Sequence, residues 1–339
     1  MIKNKMVSIL WTIASSILVT IPCLTASDVS SINFLAVGDW GGQDTKPYYT
    51  QGQKDSVVGM DKIATSINAE FVVALGDNFY NAGVSVETDP RFQQSFETVY
   101  TPASLQKNWY VIAGNHDHGG NVSAQIAYSQ DSARWKFPSS FHSHSFTSGD
   151  SSVSVDIILI DTVDLAALGK VKDESASDYF DPLPELSREQ AATQWDWIEA
   201  QMKASTADYL LVGGHYPVYS VCQHGPTATL ITNLKPLLTT YQAHYMAGHD
   251  HCMEHIVEQG QKVNYFVTGM GEECCYSNSN LSKNPTGSVQ WYIASNNAPK
   301  TVDAGFSSFT ITKTSMTVSY YDQAGNVLYT TPAIAPRAL

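Results

Sequence analysis

The amino-acid sequence predicts an α/β fold, and three observations carry that expectation. Short apolar runs recur down the chain, each closing on glycine and a polar residue. Segments of helical period lie between them, and the C-terminal stretch alternates apolar with polar residues. The runs cover 32–37 before Gly38-Asp39, 71–75 before Gly76-Asp77 and 109–113 before Gly114-Asn115. Two more cover 209–213 before Gly214-His215 and 244–247 before Gly248-His249. Runs this short, rich in β-branched and aromatic residues and bounded by turn formers, read as strands buried on both faces.

Helical spacing is expected over 57–68, 91–100 and 190–204; in the last, Trp195, Ile198 and Met202 recur at intervals of three and four. Strand–helix alternation places ligands beyond the carboxyl ends of the strands, where each of these polar residues falls. From 307 to 332, Thr310-Ile311-Thr312 and Val318-Ser319-Tyr320 alternate and Gly325-Asn326 supplies a turn, an antiparallel meander that closes a sheet. The acidic, proline-containing segment 167–187 follows the expected strand 157–161. It reads as an exposed loop, either a functional loop near the cleft or a plain solvated insertion.

Lys3 and Lys5 precede an apolar stretch to Ile21 and the small-residue cluster Leu24-Thr25-Ala26-Ser27, the order of a secretory signal peptide cleaved after residue 26. A transmembrane anchor is the alternative, but the stretch is shorter than the roughly 20 residues a bilayer requires. Residues 27–339 are then expected as one catalytic domain without a membrane span, secreted or sent to a lysosome or vacuole. The net charge of −13 becomes more negative once both lysines are removed, which sets nucleic acid aside as a bulk partner. Phosphate is not set aside, because bound cations can reverse the local field. Cys222, Cys252, Cys274 and Cys275 remain, and sequence alone leaves three pairings open. The sequons Asn121-Val122-Ser123 and Asn280-Leu281-Ser282 fit a secreted glycoprotein.

Five motifs carry chemistry: Gly38-Asp39-Trp40-Gly41, Gly76-Asp77-Asn78-Phe79-Tyr80, Gly114-Asn115-His116-Asp117, Val212-Gly213-Gly214-His215 and Gly248-His249-Asp250-His251. Any one alone is an ordinary turn; together, in order and at strand ends, they resemble the purple acid phosphatases, most closely the small mammalian-type members. The resemblance runs from about residue 32 to 329. It includes Gly214-His215-Tyr216-Pro217-Val218-Tyr219 with His224-Gly225-Pro226, and its discriminating element is Tyr80 in Gly-Asp-x-x-Tyr.

That resemblance implies a four-layer metallophosphoesterase sandwich of two mixed β-sheets flanked by helices. It also implies a dinuclear centre: Fe(III) on Asp39, Asp77, Tyr80 and His251, and Fe(II), Zn(II) or Mn(II) on Asp77, Asn115, His215 and His249. The chemistry of the donors agrees. Carboxylates and a phenolate are hard anionic ligands suited to Fe(III), whereas imidazoles and an amide suit a divalent ion. Spacing by two on a strand end would also turn His249 and His251 to one face.

His116 and His224 match positions that face the substrate, where an imidazole can bind phosphate oxygens or protonate the leaving oxygen. His118, His142, His144, His244 and His255 match no ligand and are expected at the surface or in satisfied polar sites. The implied activity is hydrolysis of small phosphate monoesters or phosphoproteins by a monomer, through a metal-bound hydroxide and with an acid optimum. The alternatives are a phosphodiesterase or nucleotide hydrolase on the same scaffold, or a secreted iron-binding redox protein.

Overall fold

The computed structural model describes residues 30–168 and 188–338; the segment expected as a signal peptide and residues 169–187 of the segment expected as an acidic loop lie outside the described residues. The chain first builds β1 (Ser31–Val37), β2 (Phe71–Ala74), β3 (Asn108–Val111) and β4 (Trp135–Lys136). It then builds β5 (His142–Thr147), β6 (Ser154–Leu159), β7 (Tyr209–Gly213), β8 (His244–Ala247), β9 (Met253–Val257), β10 (Asn264–Thr268) and β11 (Val289–Ile293). It returns with β12 (Gly305–Thr312), β13 (Met316–Asp322) and β14 (Val327–Thr330).

These strands form two seven-stranded sheets, ordered β14-β13-β12-β1-β2-β3-β4 and β11-β9-β10-β8-β7-β6-β5. Each sheet is mixed. β1 to β4 run parallel and the meander β12 to β14 adds antiparallel to β1; β6, β7, β8 and β10 run parallel, with β5 and β9 antiparallel beside them.

The pleat explains the layering. On β1, Ile32, Phe34 and Ala36 enter the apolar layer between the sheets, while Leu35 and Val37 enter the layer beneath the helices. Phe34 stacks between Phe71 and Phe309 at centroid distances of 4.8 and 4.6 Å in the inner layer. Outside the first sheet packs α1 (Gln51–Ile67), which buries Met60, Ile63 and Ala64, is capped by the Thr50 side chain and ends at Asn68 in the left-handed region. Outside the second sheet, α4 (Thr162–Leu168), α5 (Arg188–Ala204) and α6 (Ala228–Tyr241) cover an apolar layer containing Ile198, Met202, Leu230, Leu234 and Leu238. Two short helices, α2 (Asn115–His118) and α3 (Val122–Ala127), follow β3. The architecture is the expected four-layer sandwich.

The helix expected over 91–100 is a correction. Residues 90–97 are helical and 98–100 are not; Phe92–Glu97 form one widened π turn in which Thr98 N reaches Gln93 O at 2.9 Å. The Arg134 guanidinium donates to the Phe96 and Glu97 carbonyls at 3.2 and 3.3 Å, and the turn closes with Val99 N and Tyr100 N both on Phe96 O at 3.2 and 3.0 Å. Among the described residues no helix is long and apolar enough to cross a membrane.

Candidate metal centre

One donor of each motif stands just past the carboxyl end of a central strand: Asp39 after β1, Asp77 after β2, Asn115 after β3, His215 after β7 and His249 after β8. The backbone turns sharply at these points. Asp39, Asp77 and His249 have φ of 58°, 52° and 72°, left-handed values that non-glycine residues seldom adopt and that cluster at functional sites. Close approach also dictates the neighbouring glycines. A Cβ on Gly114 would lie 2.2 Å from Asp77 Oδ1, and one on Gly248 would lie 2.5 Å from Asp39 Oδ2.

The side chains converge in two overlapping sets. Tyr80 Oη lies 3.2 Å from Asp39 Oδ1, 3.3 Å from Asp77 Oδ2 and 3.0 Å from His251 Nε2. His215 Nε2 lies 3.3 Å from the same Asp77 Oδ2 and 2.9 Å from Asn115 Oδ1. Asp77, His215 and His249 offer ligand atoms within 4.8 Å of one another. His249 Nε2 is buried and has no hydrogen-bond partner among the described residues. A buried acceptor left bare costs about 1–3 kcal/mol, so this atom calls for a ligand, and a cation fits the surrounding carboxylates, phenol and imidazoles. The donor set matches a dinuclear Fe(III)–M(II) site of the purple acid phosphatase kind.

Electrostatics points the same way. Burial pushes the Asp39 carboxyl up to about 7, against the pull of His215 and His251. Burial also acts upward on Asp77, but the His215 and His116 imidazoles and their hydrogen bonds hold it well below the usual carboxylate range. Burial, then the Asp39 and Asp77 charges, raises the Tyr80 phenol well above its ordinary value, so only a strong Lewis acid would ionise it. Burial, reinforced by His224 and His215, drives His249 far down, which leaves a neutral imidazole able to ligate.

Surrounding groups fix these side chains. His215 Nδ1 meets the Leu75 carbonyl at 2.8 Å, and Thr162 Oγ1 accepts His215 N at 3.0 Å. His251 Nδ1 lies 3.1 Å from a Glu273 carboxylate oxygen, and Tyr276 stacks on the His251 ring at 4.3 Å. Asp117 accepts from Gly114 N at 2.8 Å and Asn78 N at 3.1 Å, which couples the Asp77 loop to α2. Carboxylate or carbonyl partners of this kind set the tautomer of a metal-ligating histidine.

His116 and His224 both reach the centre. His116 N donates to Asp77 Oδ1 at 3.0 Å, its Nδ1 lies 2.6 Å from the Asn81 carbonyl, and its Nε2 stands 4.0 Å from Asp77 Oδ2. The His224 ring lies 4.2 Å from that of His249, centroid to centroid. His249 and His251 do face one cluster, but not through strand alternation. β8 ends at Ala247, and the left-handed His249 makes the turn while Asp250 points away to His224 N at 2.9 Å.

Of the unassigned histidines, His142, His244 and His255 are buried in polar sites, with His142 Nε2 on the Val111 carbonyl and His255 between Tyr329 and Asn264. His118 was not expected to form a charged cluster, yet its Nε2 lies 2.8 Å from Asp161 and its Nδ1, 3.9 Å from Asp164, has no hydrogen-bond partner. This second buried group of potential ligands braces α2 from behind. Glu273, Tyr276, Asp117 and the Asp161–His118 pair escaped sequence reasoning. The spacing Asn115-His116-Asp117-His118, with polar groups at every position of one short turn, hints at Asp117 and His118 alone.

Fold and donors together define a dinuclear metallophosphoesterase. The calcineurin-like phosphoesterase family model matches residues 32–253, and the chain belongs to that family. Within it, the chain is homologous to the purple acid phosphatases. It is 38% identical over 315 residues to human tartrate-resistant acid phosphatase type 5, covering 92% of this chain and 93% of that one. It is 30% identical over 308 residues to Arabidopsis thaliana purple acid phosphatase 17, covering 90% and 85%. Among solved structures, the Plasmodium inner-membrane-complex anchor GAP50 superposes with a TM-score of 0.74 at 21% identity, over 91% of this chain and 90% of that one, a likeness of fold alone.

Proposed function

We propose that the chain is an acid phosphatase that hydrolyses phosphate monoesters at a dinuclear Fe(III)–M(II) centre, M being iron, zinc or manganese. Asp39, Asp77, Tyr80 and His251 hold one ion, and Asp77, Asn115, His215 and His249 hold the other. One observation carries the reading: Asp77 Oδ2 is 3.3 Å from both Tyr80 Oη and His215 Nε2, so a single carboxylate oxygen serves both donor sets. The relatives named acid phosphatases support it.

When bound, the ion pair supplies Lewis-acid charge that polarises water for attack on phosphorus and neutralises phosphate oxygens. The remaining work belongs to side chains. The Asn81 carbonyl can only accept, so His116 Nδ1 carries a hydrogen and Nε2 faces the centre, where its protonated form would donate to a phosphate or leaving oxygen. His224, over the His249 ring, is placed to bind a phosphate oxygen from the other side.

The leader-like N-terminus and the Cys222–Cys252 disulfide support passage through an oxidising compartment. We read the mature chain as a secreted, lysosomal or vacuolar monomer acting on small phosphate esters or phosphoproteins. Release of phosphate from p-nitrophenyl phosphate and from bis(p-nitrophenyl) phosphate tests the activity. Faster turnover of the monoester is expected, and preference for the diester would assign the phosphodiesterase alternative instead.

A further inference from the structure

The loop that carries His224 has no regular secondary structure, yet it is tied down from three directions. Cys222 and Cys252 are joined across 30 residues of sequence, both fully buried, and Cys252 directly follows His251. Asp250, between the two metal-facing histidines, accepts His224 N at 2.9 Å and Gly225 N at 3.2 Å, and it also takes the Ser220 hydroxyl. From the opposite side, Asn280 Nδ2 donates to the Cys222 and Gln223 carbonyls at 2.6 and 2.8 Å, and Asn284 Nδ2 donates to the Ser220 carbonyl at 2.8 Å. Gly225, at φ +78°, lets the chain pass, since a Cβ there would sit 2.7 Å from Asn280 Cγ.

These ties end on one object. Both carbonyls held by the Asn280 amide and one disulfide sulfur belong to the two residues just before His224, and the Asp250 carboxylate holds His224's own amide. A loop outside the sheets that is not tied down would sample positions ångströms apart, whereas an imidazole acts on a phosphate oxygen only within hydrogen-bond reach; a displacement of about 1 Å can cost roughly 100-fold in rate.

We propose that the Cys222–Cys252 disulfide and the Asn280 amide form a clasp that positions His224 over the metal centre. Both are positioning residues for the phosphatase reaction, and the proposal rests on the reading of His224 as a substrate-facing residue. The clasp gives Asn280 a role at odds with its sequon. Its amide nitrogen is buried and engaged, so an attached glycan would displace both carbonyl contacts.

A double-mutant cycle on the metal-loaded enzyme tests the clasp, with p-nitrophenyl phosphate as substrate and metal content measured for every variant. Cys222→Ala with Cys252→Ala, and separately Asn280→Ala, are each expected to lower kcat/KM about tenfold when His224 is present and less than about twofold in a His224→Ala background. Equal losses in both backgrounds, or no loss in either, would overturn the clasp, because a merely stabilising contact acts regardless of His224. If His224→Ala alone leaves kcat/KM unchanged, the reading of His224 fails and the clasp falls with it. Should the double alanine variant not fold, Asn280→Ala keeps the disulfide and decides the question.

Discussion

His215 Nε2 lies 2.9 Å from Asn115 Oδ1 while His215 Nδ1 lies 2.8 Å from the Leu75 carbonyl oxygen. A carbonyl accepts only, so Nδ1 carries a hydrogen, and Nε2 turns either a lone pair or a second proton toward Asn115 and Asp77. With the lone pair on Nε2, the three groups present converging acceptors that fit a cation. His215→Ala is therefore expected to weaken the site it shares with Asn115 and His249 and to spare the Asp39, Tyr80 and His251 set. Elemental analysis should show the metal-to-protein ratio falling from near two toward one, with activity down by orders of magnitude. An unchanged ratio with full activity would contradict the assignment.

Tyr80 should separate colour from catalysis. A phenolate bound to Fe(III) gives a visible charge-transfer band, and Tyr80→Phe removes that oxygen while Asp39, Asp77 and His251 remain. We expect loss of the band, weaker iron retention and partial activity. If Tyr80 is only a core tyrosine, the substitution costs about 1 kcal/mol of stability and leaves the spectrum unchanged. Spectra of iron-loaded wild type and variant at equal metal content distinguish the two.

The buried His118 gives stability a pH dependence. Burial works against its charge, but Asp161, with Asp164 and Asp117 beyond it, raises its pKa from 6.5 to about 9. A pKa raised in the folded state stabilises fully below the unfolded value, so the contribution is present below pH 6.5 and is lost as pH rises through about 9. Its size is on the order of 3 kcal/mol. Urea midpoints of the metal-loaded protein should fall across that window, and those of His118→Gln should be lower but flatter. Parallel curves would remove His118 as the cause.

Opening the Cys222–Cys252 link should also cost global stability. Closing a loop of 30 residues restrains the unfolded chain, and removing such a bridge costs about 2–4 kcal/mol. Thermal unfolding of Cys222→Ala with Cys252→Ala, compared with wild type under oxidising conditions, measures it; equal midpoints would show that the bridge adds nothing.

The strand ends and their donors were legible because the physics is local. A buried strand must stop where polar side chains begin, and a glycine beside Asp39, Asp77 or Asn115 marks where backbone has to approach a carboxylate or turn sharply. The meander expected from residue 307 was legible from alternation, and the structure begins it at Gly305. What long-range packing decides was not legible. The pairing of Cys222 with Cys252 depends on two loops meeting across the sheet edge. Asn280 reads as a sequon until the loop beneath it is seen, and the π widening that closes the helix expected over 91–100 leaves no mark in the apolar spacing. Glu273 carries no motif at all, since its role comes only from standing 3.1 Å from His251 Nδ1.

On the proposed function, this chain hydrolyses phosphate monoesters by means of two metal ions held by the seven converging donors. Metal content and p-nitrophenyl phosphate turnover, measured together on purified protein through chelation and reconstitution, test it most directly. About two ions per active chain are expected, one of them iron, with turnover falling as metal is removed and returning as it is restored. Full turnover by protein carrying far less than one ion per chain would contradict it.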